Sequence, residues 1–226
     1  VRARWATIQS KYDGFLCANL NDDYPIDRHI MLTRIRGWVV YRDYSREICV
    51  DCQTSFTTDM NNNVSWRFDL PVGMGKRIRL VITLNFSKTD NCCDVVFTRL
   101  TANCVDCLED NEVVKLIIRP DIEDRCNHEV TKAYLGAEFN FSKAVNSYNE
   151  GFDFSPISSR KLRVKLADAG SFIYEPQWIY MVDLPIEKQR GLDSCTDLFS
   201  PGYFKFKLGG GNSAALRASV STHNFN

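Results

Sequence analysis

Apolar and polar side chains alternate with a period of two along several short stretches of this chain. A strand with one buried face has this period, because successive side chains point to opposite faces of a sheet. Turn residues at positions 71–75 separate the two clearest stretches, so the pattern predicts a β-hairpin there. The apolar positions are Val64, Trp66, Phe68 and Leu70 in the first stretch, and Ile78, Leu80, Ile82, Leu84 and Phe86 in the second.

Further short strands are predicted along most of the chain, separated by clusters of Asn, Asp, Gly and Pro. Many short strands at this spacing predict an all-β fold, a large antiparallel β-sandwich that forms one domain over residues 1–226. Residues 185–189 are predicted to form a single helical turn, and the polar residues 121–159 fit either a long loop or a hairpin at the rim. The additional predicted strands lie near residues 16–20, 38–41, 95–100, 113–119, 162–166, 178–184 and 204–208.

The stretch from residue 175 to 211 has the densest turn chemistry. Pro185 is predicted to end an aromatic strand, because proline cannot donate to a sheet ladder. Glu187 and Asp193 flank Arg190, which predicts an ion-paired loop, since arginine can grip a carboxylate with two parallel bonds. Two groups of turn residues follow from the sequence: Arg190, Gly191 and Asp193, which predict a compact polar corner, and Ser200, Pro201 and Gly202, which predict a second turn.

The same stretch resembles the end of the N-terminal domain of bacterial glycogen debranching enzymes, the amylo-α-1,6-glucosidase family. The resemblance lies in the patterns E-P-x-W, E-x-x-R-G-L-D and D-L-F-S-P-G. These residues are Glu175, Pro176, Trp178, Glu187, Arg190, Gly191, Leu192, Asp193, Asp197, Leu198, Phe199, Ser200, Pro201 and Gly202.

A second part of the resemblance lies near the start of the chain. The family typically has R-R-Y-H-G-L-L-V-A-A-L, which Tyr12 and Gly14 match, whereas Lys11 and Asp13 depart from the usual Arg and His. A loop containing Pro25 precedes the next predicted strand, as in the family. The departures at Lys11 and Asp13 bear on specificity if these positions face the substrate in relatives.

The resemblance implies a supersandwich domain, similar to galactose mutarotase in fold, that packs on a following catalytic α/α-barrel. It implies an accessory role in shaping the α-glucan cleft of an enzyme that hydrolyses α-1,6 branch linkages without a cofactor. Two other classes remain open: a free-standing carbohydrate-binding protein, and a mutarotase-like enzyme. The second would need a histidine and a carboxylate converging in one cleft, and the three histidines are scattered along the sequence.

The amino-acid composition indicates which kinds of binding partner and which compartment to expect. Lys plus Arg and Asp plus Glu both number 28, so no net charge favours binding to nucleic acid. An apolar content of 44% can fill a core, and no apolar run is long enough to predict a signal peptide or a membrane span. Nine cysteines, an odd number, favour reduced thiols over a disulfide framework and therefore a cytoplasmic protein.

Two C-x-x-C quartets have the spacing of a zinc ribbon. Residues 48–52 read as an extended strand, in which residues three apart point to opposite faces, and neither quartet contains a glycine that would let it fold round a metal. We therefore predict no metal site and interpret the cysteines as free thiols. The quartets are Cys49-Val50-Asp51-Cys52 and Cys104-Val105-Asp106-Cys107.

No catalytic residue is predicted within this chain. Glycoside hydrolysis needs two carboxylates at a fixed separation, and the resemblance places the catalytic acids in the following domain. His29 beside Asp27 is interpreted as a packing residue rather than an acid–base pair. The candidates for contact with sugar or with a neighbouring domain are Tyr12, Asp13, Trp38 and Trp178.

Overall fold

A computed structural model describes residues 1–21, 27–87 and 89–222, so the loop position Pro25 lies outside the described residues. The first seven strands are β1 (Leu16–Asn19), β2 (Arg28–Tyr41), β3 (Tyr44–Glu47), β4 (Gln53–Thr58), β5 (Val64–Gly73), β6 (Lys76–Phe86) and β7 (Cys92–Arg99). The next seven are β8 (Val114–Cys126), β9 (Val145–Tyr148), β10 (Gly151–Ile157), β11 (Arg160–Leu166), β12 (Gly170–Asp183), β13 (Cys195–Leu208) and β14 (Ser213–Thr222). Two short helices, α1 (Ala137–Phe141) and α2 (Pro185–Gln189), complete the elements discussed below.

These strands form two antiparallel sheets. The smaller sheet has the order β1-β2-β8-β13-β12, with β3 added on β2, and the larger has the order β4-β5-β6-β7-β14-β11-β10-β9. Apolar side chains from both sheets form one buried cluster. The prediction of an all-β antiparallel sandwich is confirmed, and so is the helical turn at α2.

The alternation seen in the sequence reports the buried face correctly. All the predicted inward positions of β5, and those of β6 up to Leu84, are buried. The two strands pair as the predicted hairpin, with Trp66 opposite Ile82. Phe86, the last residue of β6, is instead exposed, because the strand ends there and runs past the edge of the core.

Aromatic packing fixes one end of the sandwich. The ring of Trp5 meets the rings of Phe15, Trp66 and Phe68 at centroid distances of 5.7, 5.2 and 5.9 Å, in edge-to-face arrangements. Such pairs add to the free energy gained from burial alone. Trp5 therefore holds the N-terminal segment on the core of both sheets.

The predicted turn at Ser200-Pro201-Gly202 is wrong, because these residues continue β13 through the sheet. The register against β12 shifts between Ser200, opposite Gln177, and Gly202, opposite Tyr174. Pro201 falls in this irregularity, where the strand needs no N–H for the ladder. A Cβ on Gly202 would lie 2.1 Å from the carbonyl oxygen of Ile173, so only glycine fits.

Neither a single loop nor a single hairpin describes residues 121–159. Residues 121–126 complete β8 at the centre of the smaller sheet, and the helical segment around α1 follows a loop. β9 and β10 then form a hairpin at the edge of the larger sheet. Helix α1 was not predicted, since five residues are too few to show a 3.6-residue period.

The structure corrects the interpretation of both C-x-x-C quartets. Residues Val50–Cys52 form a 3₁₀ turn rather than an extended strand. Cys104 and Cys107 form a disulfide, with their Cα atoms 5.2 Å apart. The expectation of free thiols is therefore wrong for this pair, whereas the other seven cysteines are free.

A buried arginine joins the loop after β7 to the end of β13. Arg99 is 1% exposed, and its guanidinium donates hydrogen bonds to the loop carbonyl oxygens of Leu108 at 2.8 Å, Glu109 at 2.7 Å and Glu112. It also donates to the carbonyl oxygen of Leu208, the last residue of β13, at 3.4 Å. Burying a charge is costly unless its donors are satisfied. Arg99 thus satisfies main-chain carbonyls that the sheets leave without partners.

We expect Arg99→Leu to lower the free energy of unfolding by about 3 kcal/mol, because several buried carbonyl oxygens lose their donor at once. Urea denaturation followed by tryptophan fluorescence measures the change. Arg67→Leu is the matched control, since Arg67 is exposed on the outer face of β5, and a change within about 0.5 kcal/mol is expected there. Equal stability of the two variants would contradict the role assigned to Arg99.

Candidate functional site

The predicted polar corner is built on a buried carboxylate. Glu187 in α2 is fully buried, and its Oε1 atom accepts a hydrogen bond of 2.5 Å from the hydroxyl of Ser10. The backbone N–H of Ile186 donates to the carbonyl oxygen of Gln9 at 3.0 Å. These contacts fasten α2 to the N-terminal turn, 177 residues away in sequence.

Arg190 completes only half of the predicted ion-paired loop. Its Nη1 atom lies 3.6 Å from Oε1 of Glu187. Asp193 is exposed and takes part in none of the ion pairs found among the described residues. Gly191 has a φ of 71°, a left-handed conformation that favours glycine, and it turns the chain out of the helix.

Asp13 organises the other side of this junction. It is buried, and its Oδ2 atom accepts hydrogen bonds from the backbone N–H groups of Gln9 at 2.9 Å and Ser10 at 3.1 Å. The Nε atom of Arg2 donates to the same oxygen at 2.6 Å. The carboxylate of Asp13 therefore stabilises the turn that contains Tyr12.

Asp197, an aspartate of the family pattern, is a buried hydrogen-bond acceptor in this chain. Its Oδ1 atom accepts the N–H of Met181 and its Oδ2 atom accepts the N–H of Ala133, both at 2.8 Å. Met181 has a φ of 54° at an irregularity of the edge strand β12. One buried carboxylate thus joins β12 to the helical segment that begins at Ala133.

These supports surround a shallow open depression, which we call the corner depression. It is lined by Lys11, His128, Glu129, Val130, Lys132, Leu135, Leu192 and Asp193. Two of the lining side chains, Leu135 and Leu192, are apolar and largely exposed. The depression therefore combines charged groups with apolar contact area.

Tyr12 stands beside the corner depression. Its ring is 46% exposed, and its hydroxyl lies 3.2 Å from Nδ1 of His128. The rings of the two residues meet edge to face at 5.7 Å, and Nζ of Lys11 donates to the carbonyl oxygen of His128 at 2.6 Å. The structure thus brings Tyr12 and Asp193, predicted from opposite ends of the chain, to one surface.

Trp38 lies elsewhere, on the outer face of the smaller sheet. It is half-buried on β2, opposite Ile117 of β8 and Glu47 of β3. The guanidinium of Arg36 lies 5.9 Å from the centre of its ring. This position is separated by two strands from β12, so Trp38 does not join the corner depression.

Trp178 packs inward from β12. Its ring is half-buried and lies 5.4 Å from the ring of Phe141 in α1 and 5.2 Å from that of Phe199 in β13. Tyr180 stacks beside it at 6.3 Å and is exposed. In this stacked pair the exposed ring is therefore that of Tyr180 rather than that of Trp178.

His29 beside Asp27, and Glu175 of the family pattern, each lie next to a polar partner. Nδ1 of His29 lies 3.2 Å from Oδ1 of Asp27, and burial lowers the pKa of His29. Oε1 of Glu175 lies 2.5 Å from Nη2 of Arg119. Over residues 1–21, 27–87 and 89–222, the one cluster with metal-ligand potential is Cys104, Asp106 and Cys107, whose two sulfurs form the disulfide.

Leu135 and Leu192 were missed as site residues. Nothing in the sequence around Leu135 marks it, and Leu192 was noted only as part of the family pattern. Their exposure depends on the tertiary contacts of α2 and Asp197, which sequence periodicity does not report.

In the part of the chain that the structure describes, no helix has the length and apolar character needed to cross a membrane.

Two packed antiparallel sheets define the chain as an all-β sandwich domain. Residues 4–215 match the family model described as glycogen debranching enzyme N terminal, and the chain belongs to this family. A search of curated proteins found no match.

The chain is also similar to a solved structure of a bacterial glucoamylase complexed with acarbose, at 10% sequence identity and a TM-score of 0.47. The similarity covers 99% of this chain and 34% of the glucoamylase, so the chain spans about a third of that protein's length.

We expect Glu187→Gln to lower the free energy of unfolding at pH 7 by about 2 kcal/mol, because a charged acceptor is lost from a buried hydrogen bond. The hydrogen bond from Ser10 holds the pKa of Glu187 below its ordinary value. The carboxylate therefore stabilises the fold above about pH 4.3, and this contribution is lost as the pH falls through the lowered pKa. Urea titrations from pH 7 to pH 3 test whether the difference between wild type and variant narrows in acid.

The control for this experiment is Glu47→Gln, since Glu47 is exposed on β3. Its stability is expected to follow that of the wild type at every pH. A Glu187→Gln variant that is as stable as the Glu47→Gln variant at pH 7 would refute the role given to the buried carboxylate.

Proposed function

We propose that this chain is the non-catalytic N-terminal domain of a glycogen debranching-type α-1,6-glucosidase. In this proposal it packs on the catalytic domain of the same polypeptide and forms one side of the α-glucan cleft. The hydrolytic carboxylates belong to that catalytic domain, and the reaction requires no cofactor. Two of the nine cysteines form the Cys104–Cys107 disulfide, and the other seven are free. The predominance of free thiols supports a cytoplasmic enzyme, since thiols stay reduced in that compartment.

One observation carries the docking part of the proposal: large apolar side chains are exposed together at one end of the smaller sheet. Exposed contiguous apolar patches on soluble domains mark interaction surfaces. Six such residues, between 51% and 76% exposed, are Tyr134, Leu135, Phe139, Tyr180, Met181 and Leu192. We call them the apolar end patch.

Contacts within the domain support treating the apolar end patch as one surface. The hydroxyl of Tyr180 donates to Oε1 of Glu138 at 2.5 Å, which holds the edge of β12 beside α1. Asp197 holds Met181 and Ala133 on the same carboxylate, and Leu135 and Leu192 line the same depression. The patch is thus positioned by hydrogen bonds within the domain and is ready to pack without reorganisation.

The edge of the smaller sheet adds a second reason for a covering partner. β12 pairs with β13 on one side and forms the end of the sheet on the other. Proteins usually protect such edges with charges, bulges or a covering element. A packed catalytic domain would cover this edge together with the apolar end patch.

A second candidate function, direct binding of oligosaccharide, is favoured by a depression on the other side of Tyr12. The ring of Tyr12 and the ring of Phe86 line it together with polar groups that include Asn19, Ser87 and Asp90. Aromatic rings cover the apolar faces of sugars, and rim polar groups bond their hydroxyls. This arrangement suits either a glucan contact of the parent enzyme or a free-standing carbohydrate-binding protein.

We expect the double variant Leu135→Asp, Leu192→Asp to weaken docking in the intact enzyme. Placing two carboxylates in an apolar contact removes its burial energy and leaves charges to be desolvated. Debranching of a glycogen limit dextrin is expected to fall about tenfold, since each 1.4 kcal/mol of lost coupling is a factor of ten. Limited proteolysis is expected to release the domain sooner than in the wild type.

Met60→Asp is the matched control for this experiment. Met60 is an equally apolar side chain, 99% exposed in the turn between β4 and β5, and far from the corner in the sheet order. The control is expected to keep both activity and proteolytic resistance. Docking through the apolar end patch is ruled out if the double variant matches Met60→Asp in both measurements.

For the oligosaccharide site, we expect Tyr12→Ala to raise the Kd for maltooligosaccharides about tenfold, because a stacking ring is lost. Isothermal titration calorimetry of the folded domain measures this change. Tyr44→Ala serves as the control, since Tyr44 is exposed on β3 and outside this depression. Unchanged affinity in Tyr12→Ala, or no binding heat with the wild type, would exclude this site while leaving the docking proposal intact.

A further inference from the structure

The two C-V-D-C quartets fold into the same kind of turn. The backbone N–H of Cys107 donates to the carbonyl oxygen of Cys104, and the N–H of Cys52 donates to the carbonyl oxygen of Cys49, both at 3.1 Å. In each turn the first cysteine is more exposed than the second, which is buried. The two quartets therefore share sequence, backbone hydrogen bond and order of exposure.

This shared turn brings the two sulfurs of a quartet within bonding reach. The Cα atoms of Cys104 and Cys107 are 5.2 Å apart, inside the range of about 4.4–6.8 Å that a disulfide requires. The same turn at Cys49 and Cys52 holds two free cysteines. Closing a bond there requires little movement of the backbone.

An arginine beside the free pair, Cys49 and Cys52, distinguishes it from the disulfide-bonded pair. Arg46 on β3 directs both Nε and Nη2 at Sγ of Cys52, each at 3.3 Å. A guanidinium beside a sulfur favours the thiolate, which is the nucleophile of thiol–disulfide exchange. Burial acts in the opposite direction and raises the pKa of Cys52. Arg46 is therefore the group that offsets burial when the Cys52 thiolate forms.

We infer that Cys49 and Cys52 form a redox site, a dithiol that closes reversibly to a second disulfide by exchange with a low-molecular-weight disulfide such as oxidised glutathione. The thiolate of the more accessible Cys49 attacks one sulfur of the oxidant, forming a mixed disulfide and releasing one glutathione thiolate. The Cys52 thiolate, held by Arg46, then attacks the Cys49 sulfur and releases the second glutathione.

The exchange balances without any other reactant. The two protein thiols lose two electrons and two protons, and the two sulfurs of oxidised glutathione gain them and leave as two thiols. Reduction by excess glutathione runs the same steps backwards. The site takes a disulfide or a thiol as its ligand, and it needs no metal.

The test uses the intact protein, reduced completely and then held in glutathione buffers of increasing oxidised fraction. Alkylation at each point, followed by peptide mass spectrometry, gives the state of every cysteine. A disulfide joining Cys49 to Cys52 is expected, with the mixed disulfide on Cys49 present only briefly. In Cys52→Ser the mixed disulfide on Cys49 is expected to accumulate, because the resolving sulfur is absent.

Arg46→Met is expected to slow closure of the mixed disulfide about tenfold, through loss of the Cys52 thiolate. Arg46→Lys keeps a charge and is expected to restore part of the rate, which separates this effect from a folding defect. Cys93 is an internal control for an intact core: burial raises its pKa to about 12, so it should resist alkylation until the protein is denatured. The inference is overturned if Cys49 and Cys52 stay free in buffers that fully oxidise Cys104 and Cys107, or if the wild type accumulates the mixed disulfide as Cys52→Ser does.

Discussion

The corner of this domain depends on buried carboxylates that accept hydrogen bonds from distant segments of the chain. Asp13, Glu187 and Asp197 accept from backbone N–H groups or from the Ser10 hydroxyl. Glu123, at the centre of the smaller sheet, accepts from Thr33, Arg125 and Thr196. A buried charge is strongly unfavourable once one of its partners is removed, so each carboxylate enforces one arrangement of its donors. These buried contacts therefore fix the conformation of the exposed surface at the corner.

This arrangement gives the family patterns near the C-terminus internal roles in this chain. The D-L-F-S-P-G pattern supplies Asp197 for the edge of β12 and a glycine where a side chain would strike Ile173. The E-x-x-R-G-L-D pattern supplies Glu187, whose partner is Ser10 in the N-terminal turn. The acidic residues of these patterns are therefore partly buried and structural. The exposed surface is formed by other residues, whose positions these buried contacts fix.

Sequence alone predicted the parts of the fold that local periodicity controls. The alternation in β5 and β6 identified the buried face because one side of each strand meets a continuous core. The turn predicted at Ser200-Pro201-Gly202 is wrong, because an irregular strand pair and a true turn use the same types of residue. The N-terminal motif marks Tyr12 as a candidate, whereas the exposure of Leu135 and Leu192 follows from contacts between distant segments, which no local pattern contains.

The state of the cysteines also depends on tertiary contacts that the sequence alone does not show. An odd number of cysteines argued for free thiols, and seven are free, yet one quartet is closed. Counting cannot distinguish the quartets because both read C-V-D-C and both form the same backbone turn. What differs is the surroundings: Arg46 donates to Cys52, whereas Arg77 engages Asp106 beside the closed pair. The chemistry of each quartet therefore follows from the strand packed against it, and this tertiary neighbour is what a sequence motif leaves out.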